Sequence, residues 1–558
     1  MFKPISAFSI CLLLAGCGGS SSEPEAPVNQ DNNQVETPSE PIEVTLSFTD
    51  VTSELNINVF HANRLGSNPS MPSMFSAGVA AEDYDNDGDL DLYLIGGESG
   101  QNKLYQNQED GTFVDVASEA GVAVSDIKGS GPAFADIDGD GHLDLFIGAV
   151  DYDDVFVFHN NGDGTFTDVT EETGISFTAG NTVSATFGDV DADGDVDLFV
   201  SHWGHELYEG DSLEIVWRND STIGDIKFVD ISNDMGLTET YSEQIRSENS
   251  PNAEPDSSFV PSLSDIDSDG DIDLLLVSDY GLTKVLRNDN GVFTHIESAS
   301  LIDEFGMGSA VGDIDNDGDM DWYVTSIAEK EYDGEDKNPT EGYRGNTLYL
   351  NDGNGMFNNV SASRGVADGG WGWGACMADF NNDSLLDIYH VNGWGQNGQL
   401  FAMFQDDESR LFINNGDGTF SDIAADTGVN DAGQGRGLSC NDFDADGDID
   451  IVISNNQGLA KFYRNDLTQG HSFLKIDLVG TAPNTEALGA IVEVDVSNEL
   501  TLTQEVRLNN NFVSQSANEL HFGLGKHTAG INVTVTWPNG ETTVREVAAI
   551  NQKITISQ

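Results

Sequence analysis

Nine residues, Asp136-Ile137-Asp138-Gly139-Asp140-Gly141-His142-Leu143-Asp144, place carboxylates at positions one, three, five and nine. Related stretches begin at Asp83, Asp189, Asp265, Asp313, Asp379 and Asp442. Acidic side chains this close repel one another unless a cation stands between them. A hard ion that takes several oxygen ligands fits, and calcium fits best. The glycine at position six permits the sharp turn that brings both halves of the loop to the ion. The expected side-chain ligands are Asp83, Asp85, Asp87 and Asp91 in the first loop and Asp136, Asp138, Asp140 and Asp144 in the second. The third offers Asp189, Asp191, Asp193 and Asp197, the fourth Asp265, Asp267, Asp269 and Asp273. The fifth offers Asp313, Asp315, Asp317 and Asp321, the seventh Asp442, Asp444, Asp446 and Asp450. The sixth departs: Asp379, Asn381, Asp383 and Asp387, with Ser384 in place of the glycine. Up to seven calcium ions are expected, with the sixth site weaker or empty.

Position seven is Asp89, Asp195, Asp271, Asp319 and Asp448 in five copies, His142 in the second and Leu385 in the sixth. A position that accepts Leu points to the backbone carbonyl as the ligand there. An EF-hand would carry Glu at position twelve between helices. Here that position is usually apolar and lies in β-like runs such as Leu90–Ile95, so these are loops of β-hairpins. A plain polar turn explains one copy but not six near-identical ones.

The 558 residues carry a net charge of −75 with only 22 Lys plus Arg. Seven divalent ions would offset only a small part of that. Such a surface argues against nucleic acid and anionic membranes as partners. Four cysteines exclude a disulfide-rich scaffold.

Each loop must be positioned by its repeat. Before it comes a run of small residues, such as Gly131–Ala135, and after it an apolar run, such as Leu143–Ile147. Then comes a segment ending in Asn (Asn107, Asn160, Asn351, Asn414), a turn, and a closing strand that starts at Phe113, Phe166, Phe228, Phe293, Phe357 or Phe420. Four short strands per period and seven periods predict an all-β chain with a seven-bladed β-propeller over residues 44–468. The last period lacks its closing strand, and Phe48–Thr52 before the first loop supplies it. That offset suits a closed ring, which has no open edge.

These blades resemble FG-GAP/VCBS repeats, the family that includes the calcium-loop propeller of integrin α chains. Residues 470–558 turn to alternating strands such as Ile491–Val496 and Val533–Trp537, which read as a small β-sandwich. There, Leu488–Val492, His521–Gly525 and Val535–Gly540 resemble the ASPIC/UnbV module, which follows FG-GAP repeats in proteins resembling cartilage acidic protein. Residues 1–17 read as an export signal, and Leu14-Ala15-Gly16-Cys17 resembles the bacterial lipobox. That resemblance implies lipidation at Cys17 and, with Gly18 next, transfer to the outer membrane. Residues 18–43 contain almost no large apolar side chains and read as a disordered tether.

The loops opposite the aspartate turns collect the unusual side chains. They hold His202, Trp203, His205, Trp371, Trp373, Trp394, Arg344 and Arg436, with Arg64, Arg246, Tyr280 and Tyr343. Aromatic faces beside Arg suit a sugar ring or a peptide carboxylate; packing between blades is the alternative. Two His in one loop are a weak catalytic signal, and no nucleophile elbow, HExxH, P-loop or dinucleotide fingerprint is present. Cys376 and Cys440 stand one residue out of step relative to their loops, so buried free thiols are expected, with an inter-blade disulfide the alternative. The expected function is a calcium-stabilised, lipid-anchored binding or adhesion protein for a carbohydrate or extracellular protein. A lyase-like carbohydrate-active enzyme and an envelope assembly partner are the alternatives.

Overall fold

The computed structural model describes residues 45–64, 70–108, 111–177, 180–208, 214–237, 253–298, 300–301, 305–328, 345–395, 402–468 and 470–558. The expectations for residues 1–43, including Cys17, and for Arg246, Tyr343 and Arg344 lie outside the described residues.

The described chain is almost entirely β. Each aspartate loop joins the first two strands of a four-stranded antiparallel meander, and the ninth-position Asp begins the second strand every time. The second meander is typical: Gly129–Ala135, Asp144–Ala149, Phe156–Asn160 and Phe166–Asp168. Its first strand is buried along its whole length, which is why small residues crowd there. The meander that ends near residue 465 takes its fourth strand from the start of the chain, with Phe48 opposite Asn465 and Asp50 opposite Tyr463. The predicted exchange of that strand is therefore present.

Two expectations are corrected. His202 to His205 do not form a loop. They continue the long strand Asp197–Tyr208, which pairs with Ala253–Ser264 of the next repeat through Trp203 opposite Ser257. And Cys376 and Cys440 are joined as a disulfide, with Cα atoms 6.6 Å apart. Their strands, Gly372–Ala378 and Gly435–Asn441, lie side by side and both sulfurs border one cavity. The one-residue offset in sequence does not keep the two apart, and 6.6 Å is within reach of a bridge.

The C-terminal residues form two sheets. One is Leu520–Gly523, Phe473–Val479 and Lys553–Ser557; the other is Leu500–Glu505, Ile491–Ser497, Ile531–Thr536 and Thr542–Val547. Their facing residues, including Ile476, Phe522, Val494, Val533 and Trp537, share one apolar core. That core runs on into Phe187, Leu198 and Trp217 of the repeats. From Glu43 onward the chain is one compact unit.

Between the two sheets the chain makes an excursion that the sequence did not announce. Residues 506–518 leave the module and run among the first strands of the repeats. Gln515 pairs with Ala80 in parallel register, and its amide exchanges hydrogen bonds with the backbone of Phe134, donating at 3.2 Å and accepting at 2.7 Å. The Ser514 hydroxyl accepts from Val79 N–H, and the Ser516 hydroxyl accepts from Cys440 N–H. Asn511 O accepts from Ser309 N–H, and its side-chain amide donates to Leu438 O. Phe512, fully buried, lies against Phe259 and Trp373. This hairpin is a plug whose polar side chains satisfy backbone groups that the first strands leave unpaired.

Phe512→Ala should therefore destabilise the repeats and the module together, by about 3–5 kcal/mol. Denaturant unfolding followed by tryptophan fluorescence checks this. A separate early transition of the C-terminal module, with the repeats unaffected, would contradict the plug.

Candidate metal centre

Each loop is folded by its own first carboxylate. In the first copy Asp83 Oδ1 accepts from Asp87 N–H (3.0 Å) and Oδ2 from Gly88 N–H (2.9 Å). The same pair recurs at Asp136, Asp189, Asp265, Asp313, Asp379 and Asp442. The wrap needs left-handed backbone at two places. Position six is glycine except for Ser384, at φ 77°. Position four is also left-handed, and it includes Ala192 (φ 60°) and Ala445 (φ 58°). A side chain at such a φ costs on the order of 1–2 kcal/mol, which the sequence reading overlooked.

The ninth carboxylate is the most buried and the most tied. Asp91, Asp144, Asp197, Asp273, Asp321, Asp387 and Asp450 are all essentially without exposure. Each Oδ1 accepts the backbone N–H of the repeat's closing Asn, from Asn107 to Asn465, at 2.7–2.8 Å. In all but the first loop Oδ2 accepts the N–H of position two. The Asn side chain then bridges repeats. Asn160 Nδ2 donates to Leu143 O of its own loop (3.0 Å) and to Tyr84 O of the preceding loop (2.9 Å). Asn219, Asn288, Asn351, Asn414 and Asn465 repeat both bonds. Asn107 of the first repeat reaches Phe443 O of the last (3.0 Å).

The residues fit a divalent cation. After these internal bonds, buried carboxylate oxygens remain that accept nothing: Asp85 Oδ1, Asp91 Oδ2, Asp191 Oδ1, Asp195 Oδ1 and Asp267 Oδ1. They stand at positions three, seven and nine. Groups such as Asp83, Asp85 and Asp91, or Asp189, Asp191 and Asp197, hold their oxygens within 4.8 Å of one another. Unpaired buried carboxylates are costly, and a metal ion removes the cost. Burial, reinforced by neighbouring carboxylates, pushes Asp91 up to about 9 and Asp197, Asp273 and Asp321 to about 8.

The sixth loop has further contacts besides these shared bonds. Asn381 Oδ1 accepts from Asp383 N–H, Asn382 Nδ2 donates to Gly447 O, and Gly525 N–H donates to Asn382 O. The C-terminal module covers it. The module also reaches other loops through residues that sequence reasoning did not connect to them. Glu486 accepts from Asp136 N–H (2.8 Å), and the Thr485 hydroxyl donates to the Asp136 carboxylate. Glu505 accepts from Asp265 N–H and the Ser264 hydroxyl. Lys475 Nζ lies 2.9 Å from both Asp442 Oδ2 and Glu519 Oε1.

The side chains expected on a ligand face are mostly inside. Trp203, Trp371, Trp373 and Trp394 are buried, with Trp371 stacked on Trp394 at 4.8 Å and Phe75 edge-on to Trp203 at 4.9 Å. Arg436 is fully buried, with its guanidinium 4.2 Å over Trp373 and bonded to the carbonyls of Met74, Gly393 and Gly435. His202 is buried, with Nε2 3.1 Å from Glu214 O. The side chain of His205 lies outside the described residues. The expectation of an exposed tryptophan platform is thus replaced by an aromatic cluster that fills the space between repeats. His142 does not face its loop either; its Nδ1 is 3.2 Å from Asn86 Nδ2. What is exposed on the connections opposite the aspartate loops is Tyr152 (82%), Tyr280 (58%), Phe60 (53%), Met71, Met403 and Leu459. Tyr152 and Tyr280 take positive φ in their turns.

Residues 83–147, 138–200, 265–324, 340–390 and 399–453 match the FG-GAP-like repeat, together about half of the chain. Residues 480–558 match ASPIC and UnbV. The chain is similar to cartilage acidic protein 1 of Mus musculus, 25% identical over 516 residues that span 86% of this chain and 73% of that protein. It is 37% identical to the Xenopus tropicalis protein over 116 residues, 21% of this chain and 16% of that one. Among solved structures it resembles an Agrocybe aegerita lectin described as recognising non-reducing terminal N-acetylglucosamine (TM-score 0.38, 17% identity, 70% of this chain and 93% of the lectin). It also resembles the V. cholerae biofilm matrix protein Bap1 (TM-score 0.30, 12% identity, 90% of this chain and 76% of that one).

The raised carboxylates fix a pH dependence. Their folded values lie above the ordinary range, so their contribution is complete below about pH 4 and is lost as pH rises through the folded values, up to about 9. Protein stripped of divalent ions should melt progressively lower between pH 5.5 and 8.5 in buffers of about these values. Saturating calcium should abolish that fall, because the ion takes the place of the protons. Equal pH profiles with and without calcium would contradict the assignment.

Proposed function

The chain belongs to the FG-GAP-like repeat family, and from that premise we propose that it is a calcium-dependent extracellular binding protein on a closed seven-bladed propeller. The observation that carries the reading is the set of buried carboxylate oxygens without partners in the first, third and fourth loops, within acidic clusters that could hold an ion. Calcium would be held by side chains at positions one, three, five and nine and by the carbonyl at position seven, with the sixth loop weaker or empty. Closure is supported by the order of the first strands, each beside the next, with Gly435–Asn441 beside Val79–Glu82. It is supported too by the borrowed strand at Phe48 and the bond from Asn107 to Phe443.

The aspartate side is engaged by the C-terminal module, which leaves the opposite side for a ligand. There the exposed rings of Tyr152 and Tyr280, and Phe60, Met71 and Leu459 on other connections of that side, offer the contact surface, in place of the tryptophans. Apolar side chains exposed at the tips of rigid turns are a usual basis for recognition. The ligand class is a carbohydrate or an extracellular protein. Cys17 would carry a lipid anchor at the outer membrane, with residues 18–43 as the tether. His202, one of the two histidines the lyase alternative would use, is buried against a backbone carbonyl.

Two experiments follow. Asp317→Ala should lower the calcium bound per chain by one, while Asp383→Ala in the sixth loop leaves it unchanged; equal losses would mean that the sixth loop binds as the others do. A panel of glycans and matrix proteins should yield a ligand bound without release of reducing ends or unsaturated products. Tyr152→Ala or Tyr280→Ala should weaken that ligand by about 1–3 kcal/mol with calcium content intact. If neither substitution alters affinity, the contact surface is elsewhere.

A further inference from the structure

We propose that the groove between the second and third repeats, on the side opposite the aspartate loops, takes an arginine or lysine side chain of a partner protein. The inference rests on that side being the contact side, and it names the chemistry recognised there. The groove measures about 640 Å³ and lies between the connection after Ala149 and the link that follows Asp168. Phe156, Ile175 and Phe177, each half-buried, supply its apolar wall. Phe156 stacks on Phe158 at 5.7 Å, and Phe177 stands edge-on to Trp217 at 5.4 Å, so both rings are rooted in their repeats. Asp154, Asp168, Glu171 and Glu172 are exposed along the rim, and among the described residues no Lys or Arg lines the groove. Asp153, at one end, is already engaged: it accepts from Lys128 N–H at 2.7 Å.

Acidic residues are common on this chain; what sets this group apart is a missing cation. In the first, sixth and seventh repeats the third strand begins with Lys103, Arg410 or Lys461. The Asp of each closing strand, Asp115, Asp422 or Asp50, caps the following turn through Oδ1. Its Oδ2 then takes that cation, at 2.6, 3.4 and 2.7 Å. The second repeat keeps this register, with Phe158 opposite Asp168 as Tyr105 is opposite Asp115. Asp168 Oδ1 likewise caps its turn, accepting from Thr170 N–H at 3.1 Å. But Phe156 begins the strand where the cation would stand, and Asp168 makes no ion pair among the described residues. The third repeat holds Ile215 at this place, but that side chain is buried. Glu171 adds a charge where the first, third, fifth, sixth and seventh repeats hold Ser118, Asn233, Ala362, Ala425 and Ser53. A cationic side chain from outside therefore finds here what the chain's own Lys or Arg finds in other repeats. Its methylene stem lies along Phe156 and Phe177, and its charged head reaches Asp168 with Glu171 and Glu172 beyond.

A fluorophore-labelled tetra-arginine peptide, blocked at both ends, is titrated into full-length protein saturated with calcium. Salt at about 150 mM screens the diffuse negative field. The expected result is saturable binding of one peptide per chain, with the uncharged tetra-citrulline peptide at least tenfold weaker. Phe156→Lys installs the cation of the first and seventh repeats. Asp168→Asn removes the charge but keeps the turn, which Asn359 caps in the fifth repeat at 3.1 Å. Each should weaken the arginine peptide at least tenfold without lowering the melting temperature. Glu119→Gln, the same change of charge on the first repeat, should leave affinity unchanged. Absence of saturable binding, equal binding of the citrulline peptide, or equal affinity of wild type and Phe156→Lys would overturn the proposal. An equal loss in Glu119→Gln would mean attraction to net charge alone and would overturn it as well. A panel ligand weakened by Tyr152→Ala or Tyr280→Ala but not by Phe156→Lys would refute the groove and leave the contact side standing.

Discussion

A carboxylate buried at the ninth position of every loop is the constraint on which the rest depends. It has no water to accept from, so its bonds must come from the chain. In each repeat it takes the N–H of the closing Asn, and in most it also takes the N–H of position two. Those bonds hold the loop, the second strand and the third strand in one arrangement. The Asn side chain extends the arrangement to the loop before it. A charge that would be a liability in an isolated hairpin thereby becomes the joint between neighbouring repeats. A cation among the carboxylates would offset its cost, as protonation does at low pH.

The same constraint explains how the two sides of the molecule divide their work. The first strands are rich in small residues, and on their inner side they carry backbone groups that the meanders do not satisfy. The plug from the C-terminal module satisfies several of them, through Gln515, Ser514, Ser516 and Asn511. At the other end the same interior is filled by Phe75, the stacked tryptophans and Arg436. Phe512 touches both fillings, since it lies against Trp373. The aspartate side is therefore engaged by the chain itself, at Asp136, Asp265 and Asp442 through Glu486, Glu505 and Lys475. The connections on the far side remain free to carry exposed rings.

Much of the local structure was legible because the repeat is dense in specific signals. The loop pattern marked each turn, the closing Phe marked each fourth strand, and the missing last strand pointed to Phe48. The closing Asn was visible as part of the repeat, although its reach to the neighbouring loop depends on packing between repeats. The left-handed position four was hidden because Ala192 and Ala445 carry no signal for positive φ. The plug was hidden because Asn509 to Ser516 has the composition of a polar surface loop, and only the unpaired backbone of distant strands gives those side chains partners. The tryptophans were misplaced for a related reason. Glycine-rich connections hold large rings equally well at a surface or in a gap between repeats, and sequence does not distinguish the two. Tyr152 and Tyr280 are exposed in turns with positive φ, a backbone state that tyrosine does not signal.

The central claim is that these joints run without a break from the last repeat to the first. Hydrogen exchange at the amides of Asn107, Asn160, Asn219, Asn288, Asn351, Asn414 and Asn465, in calcium, tests it most directly. Each donates to a buried ninth-position carboxylate. An unbroken ring predicts that all seven belong to the slowest class, with Asn107 and Asn465 protected as strongly as those between. Fast exchange confined to Asn107 and Asn465 would mean an open array with fraying ends, and would contradict the account.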